Sequence, residues 1–532
     1  MNALSQALTY GRFLRGFPDY LRGRITLPQA RDAVRARLAR RPEHLLAMAE
    51  RYFYGLPQSP YRALLELAGC TLADFEALIR TEGVEGALLQ LRRAGVYVTF
   101  EEYKGREPLV RDGREIPVSE GLFDNPDLRH YYRNSTSGST GRATRSSTDL
   151  AHLEVQSELR MLLLDAHGVL DVPFSVWRPA LPSGSGLNNV LRMARLGRPV
   201  HRWFTPLVPG EYAPALKYRI ATEAAIATGR AVGVDLVRPE PVPLDRALLI
   251  ARYLTETVRE HGGACLSTTV SCGLRIAVAA RDAGLDLSGA TLLVAGEPAT
   301  PAKVRGMRAS GATVVSDYGA VETGRIALGC ARPAHETDMH VTTDSAALVL
   351  HPRTVPGSEE TVRSIHITTL VPTMPKLLLN MELDDFGEME ERACGCALGE
   401  LGLGTHLRSV RSFRKLVGEG VTLIGSDMVH ILEEILPARF GGSPLDYQLV
   451  EDEDDRGFTR LSLHVHPQVA LRSEGEVLDV VLDALARTSV AADMARAYWA
   501  AAGSFRVVRR APTVSARGKQ APLRVVRGGQ AA

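Results

Sequence analysis

The chain has 532 residues, 45% of them hydrophobic, with 63 basic side chains against 61 acidic ones. That length and apolar content bury a large core and require two or more domains, and the near-balance of charge argues against a general nucleic-acid-binding role. Six cysteines in so long a chain suit a reducing compartment; Met1 to Tyr20 has no apolar signal core and no long apolar run follows, so the sequence predicts a cytoplasmic protein, neither exported nor inserted in a membrane.

Residues 1–95 read as helices joined by tight punctuation. Leu27 to Arg40 is a basic helical pattern, Pro42 suits a first helical position, and Leu45, Leu46 and Ala49 carry the next apolar face. A further helix follows Ser59-Pro60, and Val96 to Phe100 reads as a strand. From there strands and helices alternate to about residue 405, with Ala290 to Val294 and Ala312 to Val315 as strands and Pro301 to Ser310 as the helix between them. This is an α/β pattern. The texture changes near Arg408, so the expected division is a helical segment over 1–95, a large domain over 96–408 and a small α+β domain over 409–532. In the last, Tyr447 to Val450 and Phe458 to Val465 form a predicted hairpin whose acidic loop, Glu451 to Asp455, reads as solvated.

Ser135, Thr136, Ser137, Gly138, Ser139, Thr140, Gly141, Arg142, Ala143 and Thr144 follow one another, with short β-prone runs on either side and a helix from about Asp149. The glycines let the backbone turn N–H groups toward an anion, the hydroxyls add donors, and Arg142 adds a charged fork. A Walker loop would place lysine after its last glycine and open a helix, so this strand-loop-strand segment is a different polyphosphate cradle, or else a flexible linker. Gly296-Glu297-Pro298 follows a predicted strand, where α/β sheets hold ligands. After the next strand comes Asp317-Tyr318-Gly319-Ala320-Val321-Glu322, in which the ring can stack on a base, Asp317 can accept from an exocyclic amine and Glu322 can ligate Mg2+. Asp384 and Asp385 precede Gly387, and Asp385, two residues before it, is the better placed to accept from two ribose hydroxyls. Lys519 lies in a basic stretch near the C-terminus.

In this order the segments resemble the adenylate-forming superfamily, and most of all its phenylacetate-CoA ligase-like members from biosynthetic clusters. Phe100 to Gly105, Phe123 to Pro126 and Lys415 to Gly420 carry the closer likeness, which spans about 50–528. The resemblance implies a large nucleotide- and substrate-binding domain with a small mobile domain behind it. It implies ATP-dependent, AMP-forming activation of an aryl or acyl carboxylic acid, followed by transfer to the thiol of coenzyme A or of a carrier protein's pantetheine arm. Residues 135–144 would then cradle the β- and γ-phosphates, Glu322 would hold Mg2+, Asp385 the ribose, and Lys519 would act at the reacting carboxylate. The sequence departs from the family where Leu383-Asp384 replaces the usual Thr-Gly, and where an acidic hinge is missing near Arg408 to Arg411. The acid pocket is expected from Trp177 to Arg195 and Ser267 to Leu274, with Ser183 to Gly186 as a turn.

Cys330, His340, Cys394 and Cys396, with His335 nearby, would complete a tetrahedral structural zinc site in which a Cys-x-Cys hairpin gives two ligands. Three other functions stay open: an acyl-protein synthetase that carries the acyl group on Cys394 or Cys396, an adenylating enzyme with a non-thiol acceptor, and a non-catalytic nucleotide or acyl-adenylate binder, against which Lys519 and Glu322 argue by being present.

Overall fold

The structure is a computed structural model, described over residues 3–135, 145–206, 216–354, 361–412, 415–418, 421–424, 431–454, 456, 458–486, 499, 502–513 and 523–525. The helical start begins with α1 (Ala3–Arg22), α2 (Leu27–Ala39), α3 (Arg41–Met48), α4 (Pro60–Leu67) and α5 (Leu72–Arg93). Thr26 and Thr71 open α2 and α5 as capping boxes, with Gln29 and Asp74 answering the cap backbone. These helices do not form a separate core. Phe13, Phe17, Ala30 and Val34 pack with the central helices of the large domain, while Leu45, Phe53, Tyr61, Phe75 and Leu88 pack under its antiparallel sheet. Each such large side chain fully buried contributes roughly 1.5–3 kcal/mol.

The predicted strand at Val96 to Phe100 is replaced by α6 (Phe100–Tyr103). Thr99 accepts from the Glu102 N–H at 3.2 Å and the Glu102 carboxylate accepts from the Thr99 N–H at 2.7 Å. This capping box overrides the β-propensity of the run, and only Val98 keeps a bridge, to Met381.

After a small hairpin, β1 (Leu109–Arg111) with β2 (Arg114–Ile116), come β3 (Tyr131–Ser135) and β4 (Arg145–Asp149), paired antiparallel. The expected strand-loop-strand geometry is therefore present on both sides of residues 136–144, which lie outside the described residues. Asp149 accepts from Ala151 N–H at 2.8 Å and caps α7 (Leu150–Ala166).

The parallel sheet uses β5 (Phe174–Trp177), β6 (Trp203–Thr205), β7 (Pro239–Pro241), β8 (Ala264–Thr268), β9 (Ala290–Val294) and β10 (Thr313–Ser316), in the order β10-β9-β8-β5-β6-β7. β5, β8 and β9 are buried along their whole length, as strands covered on both faces must be. Between and after these strands the chain forms α8 (Gly184–Arg195), α9 (Leu216–Ala231), α10 (Ala247–His261), α11 (Val270–Asp282) and α12 (Pro301–Arg308). The expected turn at Ser183 to Gly186 is instead the start of α8, because the Ser183 hydroxyl accepts from the Ser185 N–H. From β5 the chain steps outward to β6 and β7, then returns to lay β8 on the other side. The topological switch point, where such sheets hold ligands, thus falls between the C-terminal ends of β5 and β8.

A seven-stranded antiparallel sheet follows, ordered β11 (Tyr318–Ala320), β12 (Gly324–Gly329), β13 (Met339–Val341), β17 (Thr405–Ser412), β16 (Met381–Glu391), β15 (Thr361–Thr369) and β14 (Ala346–Thr354). β17 pairs with β16 as far as Ser412 opposite Asp385, four residues past the expected boundary. Beyond it lie a hairpin, β18 (Lys415–Gly418) with β19 (Val421–Ile424), and a sheet ordered β22 (Phe505–Arg509), β21 (Thr459–Val465), β20 (Tyr447–Glu453) and β23 (Leu523–Val525). The predicted hairpin of β20 and β21 is present. Its acidic end is not wholly solvated: Lys303 on α12 donates to Thr459 Oγ1 at 2.7 Å and lies 3.7 Å from Glu453, and Thr300 Oγ1 donates to Glu453 at 3.2 Å.

Candidate active site

The turns after β9 and β10 carry the predicted acidic groups. Gly296 adopts φ +91°, and a Cβ there would come within 3.4 Å of Arg178 Nη1. Glu297, followed by half-buried Pro298, accepts from Ser271 N–H at 3.1 Å and Ser271 Oγ at 2.5 Å, so it is fixed on the first turn of α11. Asp317 lies 3.3 Å from Arg325 and 3.9 Å from Arg160. Tyr318 donates to Asp385 Oδ2 at 2.7 Å across 67 residues of sequence. Ser412 Oγ donates to the other oxygen of Asp385. Burial, then the Asp385 charge, holds the Tyr318 phenol well above its ordinary range, so it stays a donor. Of the two aspartates that the sequence offers, Asp385 is the one Tyr318 touches; Asp384 is buried at φ +60°. Gly319 packs its backbone against that of Gly324, where a Cβ would meet the carbonyl oxygen at 2.5 Å.

Glu322 is buried and lies 3.7 Å from the Lys104 ammonium, which also donates to Glu120 at 3.4 Å. Burial depresses the Lys104 ammonium below its ordinary range, while Glu322 and Glu120 oppose that shift. Sequence reasoning quoted Lys104 inside a motif but gave it no role; nothing in the local spacing announces a contact across more than 200 residues. The Thr323 carbonyl accepts from His152 Nε2 at 3.0 Å, and the Arg325 N–H donates to Gln156 Oε1 at 2.8 Å, so α7 holds this turn from behind.

Cys330, His340, Cys394 and Cys396 come together, with their ligand atoms all within 4.8 Å of one another. His340 Nε2 is 3.1 Å from Cys396 Sγ and 3.6 Å from Cys394 Sγ, while its Nδ1 faces the Leu403 carbonyl at 2.6 Å. A proton on Nδ1 directed at that carbonyl leaves Nε2 as the ligating atom. The Cys396 thiol is drawn below its ordinary range by its contact with Cys330, and the Cys330 thiol is pushed up by the same contact. The Cys-x-Cys is not a hairpin: Gly395, at φ +68°, joins the end of β16 to the short helix Ala397–Glu400. His335 is exposed and contacts Arg408. Behind the cluster, His406 Nδ1 lies 2.7 Å from Asp338 and its ring 4.2 Å from that of His340. The Arg408 to Arg411 stretch lies on β17. Thr136 to Thr144 and Lys519 lie outside the described residues.

No family model matches the sequence, and no curated protein matches it. Solved structures do. A 2-hydroxyisobutyryl-CoA ligase in complex with 2-HIB-AMP and CoA matches at TM-score 0.54 and 14% identity, over 91% of this chain and 89% of that one. An amide bond synthetase, Mcba, from Marinactinospora thermotolerans matches at TM-score 0.43 and 15% identity, over 96% and 97% of the two chains. The first of these shows the fold: this chain folds as that CoA ligase does. No helix among the described residues is long and apolar enough to cross a membrane.

Proposed function

We propose that this chain activates a carboxylic acid, aryl or acyl, with ATP to an acyl adenylate and passes the acyl group to a thiol, that of coenzyme A or of a carrier protein's pantetheine arm. The hydrogen bond from Tyr318 to Asp385 carries the reading, because it joins the base-stacking and ribose groups of two distant motifs beside Glu322 on a fold shared with an acid-CoA ligase. In this reading the Tyr318 ring stacks on the base, Asp317 accepts from its amine, and Asp385 accepts from ribose hydroxyls. Glu322 offers the hard carboxylate oxygen that suits Mg2+, which when bound supplies charge neutralisation to the triphosphate. Lys104 balances the Glu322 charge in the free site. The hydroxyl and backbone donors of 135–144 hold the β- and γ-phosphates as they leave.

A carboxylate oxygen attacks the α-phosphorus, the bond to the β-phosphate oxygen breaks, and pyrophosphate departs. Lys519 stabilises the charge at that centre. A thiolate then attacks the acyl carbon and AMP leaves. Lys519→Ala is expected to reduce ATP-pyrophosphate exchange by on the order of a thousandfold while leaving thioester formation from supplied acyl adenylate largely intact; equal loss in both steps refutes the assignment.

The Cys330, His340, Cys394 and Cys396 set holds a structural zinc ion in this reading, because three sulfurs and one imidazole with a fixed tautomer match zinc's preference. That use occupies Cys394 and Cys396, which removes the nucleophiles an acyl-cysteine route would need.

A further inference from the structure

The switch point of the parallel sheet carries more positive charge than the carboxylates around it neutralise. Arg178 follows the end of β5 and donates across the crevice to the Thr268 carbonyl at the end of β8. Arg160 comes from α7, Arg192 from α8 and Arg325 from β12. Arg160, Arg178 and Arg192 are only 3%, 7% and 8% exposed, a degree of burial that guanidinium groups reach only with partners. The partners inside the protein are mostly neutral: Arg160 donates to Asn189 Oδ1 at 3.3 Å and Arg192 to the Asn188 carbonyl at 3.1 Å. Two carboxylates stand nearby, Asp317 shared by Arg325 and Arg160, and Glu297 engaged by Ser271. Arg160 Nη1, Arg178 Nε and the Ser267 hydroxyl on β8 are buried without a hydrogen-bond partner.

Burial and then the Arg325 charge lower Arg160 and Arg178 to about 10, and Arg192 falls well below its ordinary range from burial, then Arg325 and Arg160. The groups repel one another, and a buried cation cluster of this kind is stabilised by an anion. Arg178, Arg192 and Ser267 fall within the two segments of the expected acid pocket, and Arg160 on α7 and Arg325 on β12 join them from outside it. The ribose and metal groups come instead from β16 and the turn holding Glu322, and of the base groups Tyr318 lies on β11 while Asp317, just before it, borders the arginines.

We propose that this wall binds a second anionic group on the substrate, so that the chain activates a carboxylic acid bearing another carboxylate, phosphate or sulfonate rather than a plain aryl or fatty acid. This rests on the acid-adenylating reading above. The second group does no chemistry. Guanidinium forks orient it, and the remaining carboxylate is left to attack ATP.

The test is pyrophosphate release by the full chain with ATP and Mg2+ on matched pairs: glutarate against valerate, isophthalate against benzoate, 4-sulfobenzoate against benzoate. The dianion of at least one pair should show kcat/KM higher by about tenfold or more, as expected for a charge-assisted contact. Arg178→Met and Arg192→Met should each erase that preference with KM for ATP unchanged, and the lysine variants should restore part of it. Monoacids used as well as dianions overturn the proposal, as do variants that change only KM for ATP, which would assign the arginines to the nucleotide. A lowered melting temperature with equal loss on every acid marks a merely structural role and overturns it too. If no acid in any pair releases pyrophosphate, the adenylation reading fails, and thermal shift still decides the pocket: the dianions alone should stabilise the wild type and not the methionine variants, and no shift with any of them overturns the pocket.

Discussion

Two buried clusters of opposite character sit in this molecule. At the ends of β5 and β8, Arg160, Arg178, Arg192 and Arg325 face two carboxylates; beside the inner strand β13 of the antiparallel sheet, Cys330, Cys394 and Cys396 converge on His340. The first is an excess of donors and the second an excess of soft lone pairs. Burial makes both costly unless a partner of the opposite kind is supplied. The teaching lies in the connections behind them. His340 is anchored through Nδ1 to Leu403, and His406 with Asp338 backs it, which is the support a permanent ligand set needs. Arg160, Arg178 and Arg192 donate to backbone or amide oxygens, Arg160 and Arg325 share Asp317, and Arg160 and Arg178 keep a buried N–H group unspent, which suits a ligand that comes and goes.

The comparison breaks most readily at the sulfur cluster. Purified protein should hold about one zinc per chain, and Cys330→Ser with Cys396→Ser should reduce that to near zero by metal analysis, with a stability loss on the order of 5 kcal/mol or more in chemical denaturation. Zinc-free wild type of unchanged stability would make the cluster a set of packed thiols. The next effect concerns pH. His152 stands behind the arginine wall, and burial, aided by Arg192, lowers its imidazole to about 4. The unfolded chain takes up a proton near pH 6.5 that the folded one refuses. The stabilising contribution is therefore complete above pH 6.5 and is lost as pH falls toward about 4, amounting to about 3 kcal/mol. Denaturant titrations across that window should show the slope, and His152→Gln should flatten it.

A smaller change has the opposite sign. Arg192→Met removes one buried cation from a repelling group, so in the absence of substrate it should raise stability by about 1–3 kcal/mol, read as a higher melting temperature; a drop would show that the arginines are satisfied without a ligand. Smallest is Tyr318→Phe. It leaves Asp385 with the Ser412 hydroxyl and costs about 1 kcal/mol, seen as KM for ATP raised by up to about tenfold at nearly constant kcat.

The clusters also differ in how far the sequence announced them. The sulfur cluster was legible as a candidate metal set because a tetrahedral site demands particular residue types, and so few cysteines left few combinations. The groups read as nucleotide-binding were legible only in part: Tyr318 and Glu322 come directly after β10, and strand ends can be read locally, whereas Asp385, expected at a strand end, lies inside β16 opposite Ser412. The arginines were not. They are spread from Arg160 to Arg325 among many other basic residues, and only the return of β8 beside β5 brings them together. Lys104 escaped for the same reason, since its contact with Glu322 depends on the capping box that turned a predicted strand into α6. The stretch expected to be a hinge, Arg408 to Arg411, lacks the acidic signature, and β17 runs through it to Ser412.

The central claim is that a carboxylate oxygen attacks the α-phosphorus of ATP. Supplying an accepted acid with heavy oxygen in its carboxylate, together with ATP and coenzyme A, and weighing the nucleotide product tests it most directly. One labelled oxygen carried into AMP is the predicted result; unlabelled AMP, or ADP with the label in phosphate, would contradict the account.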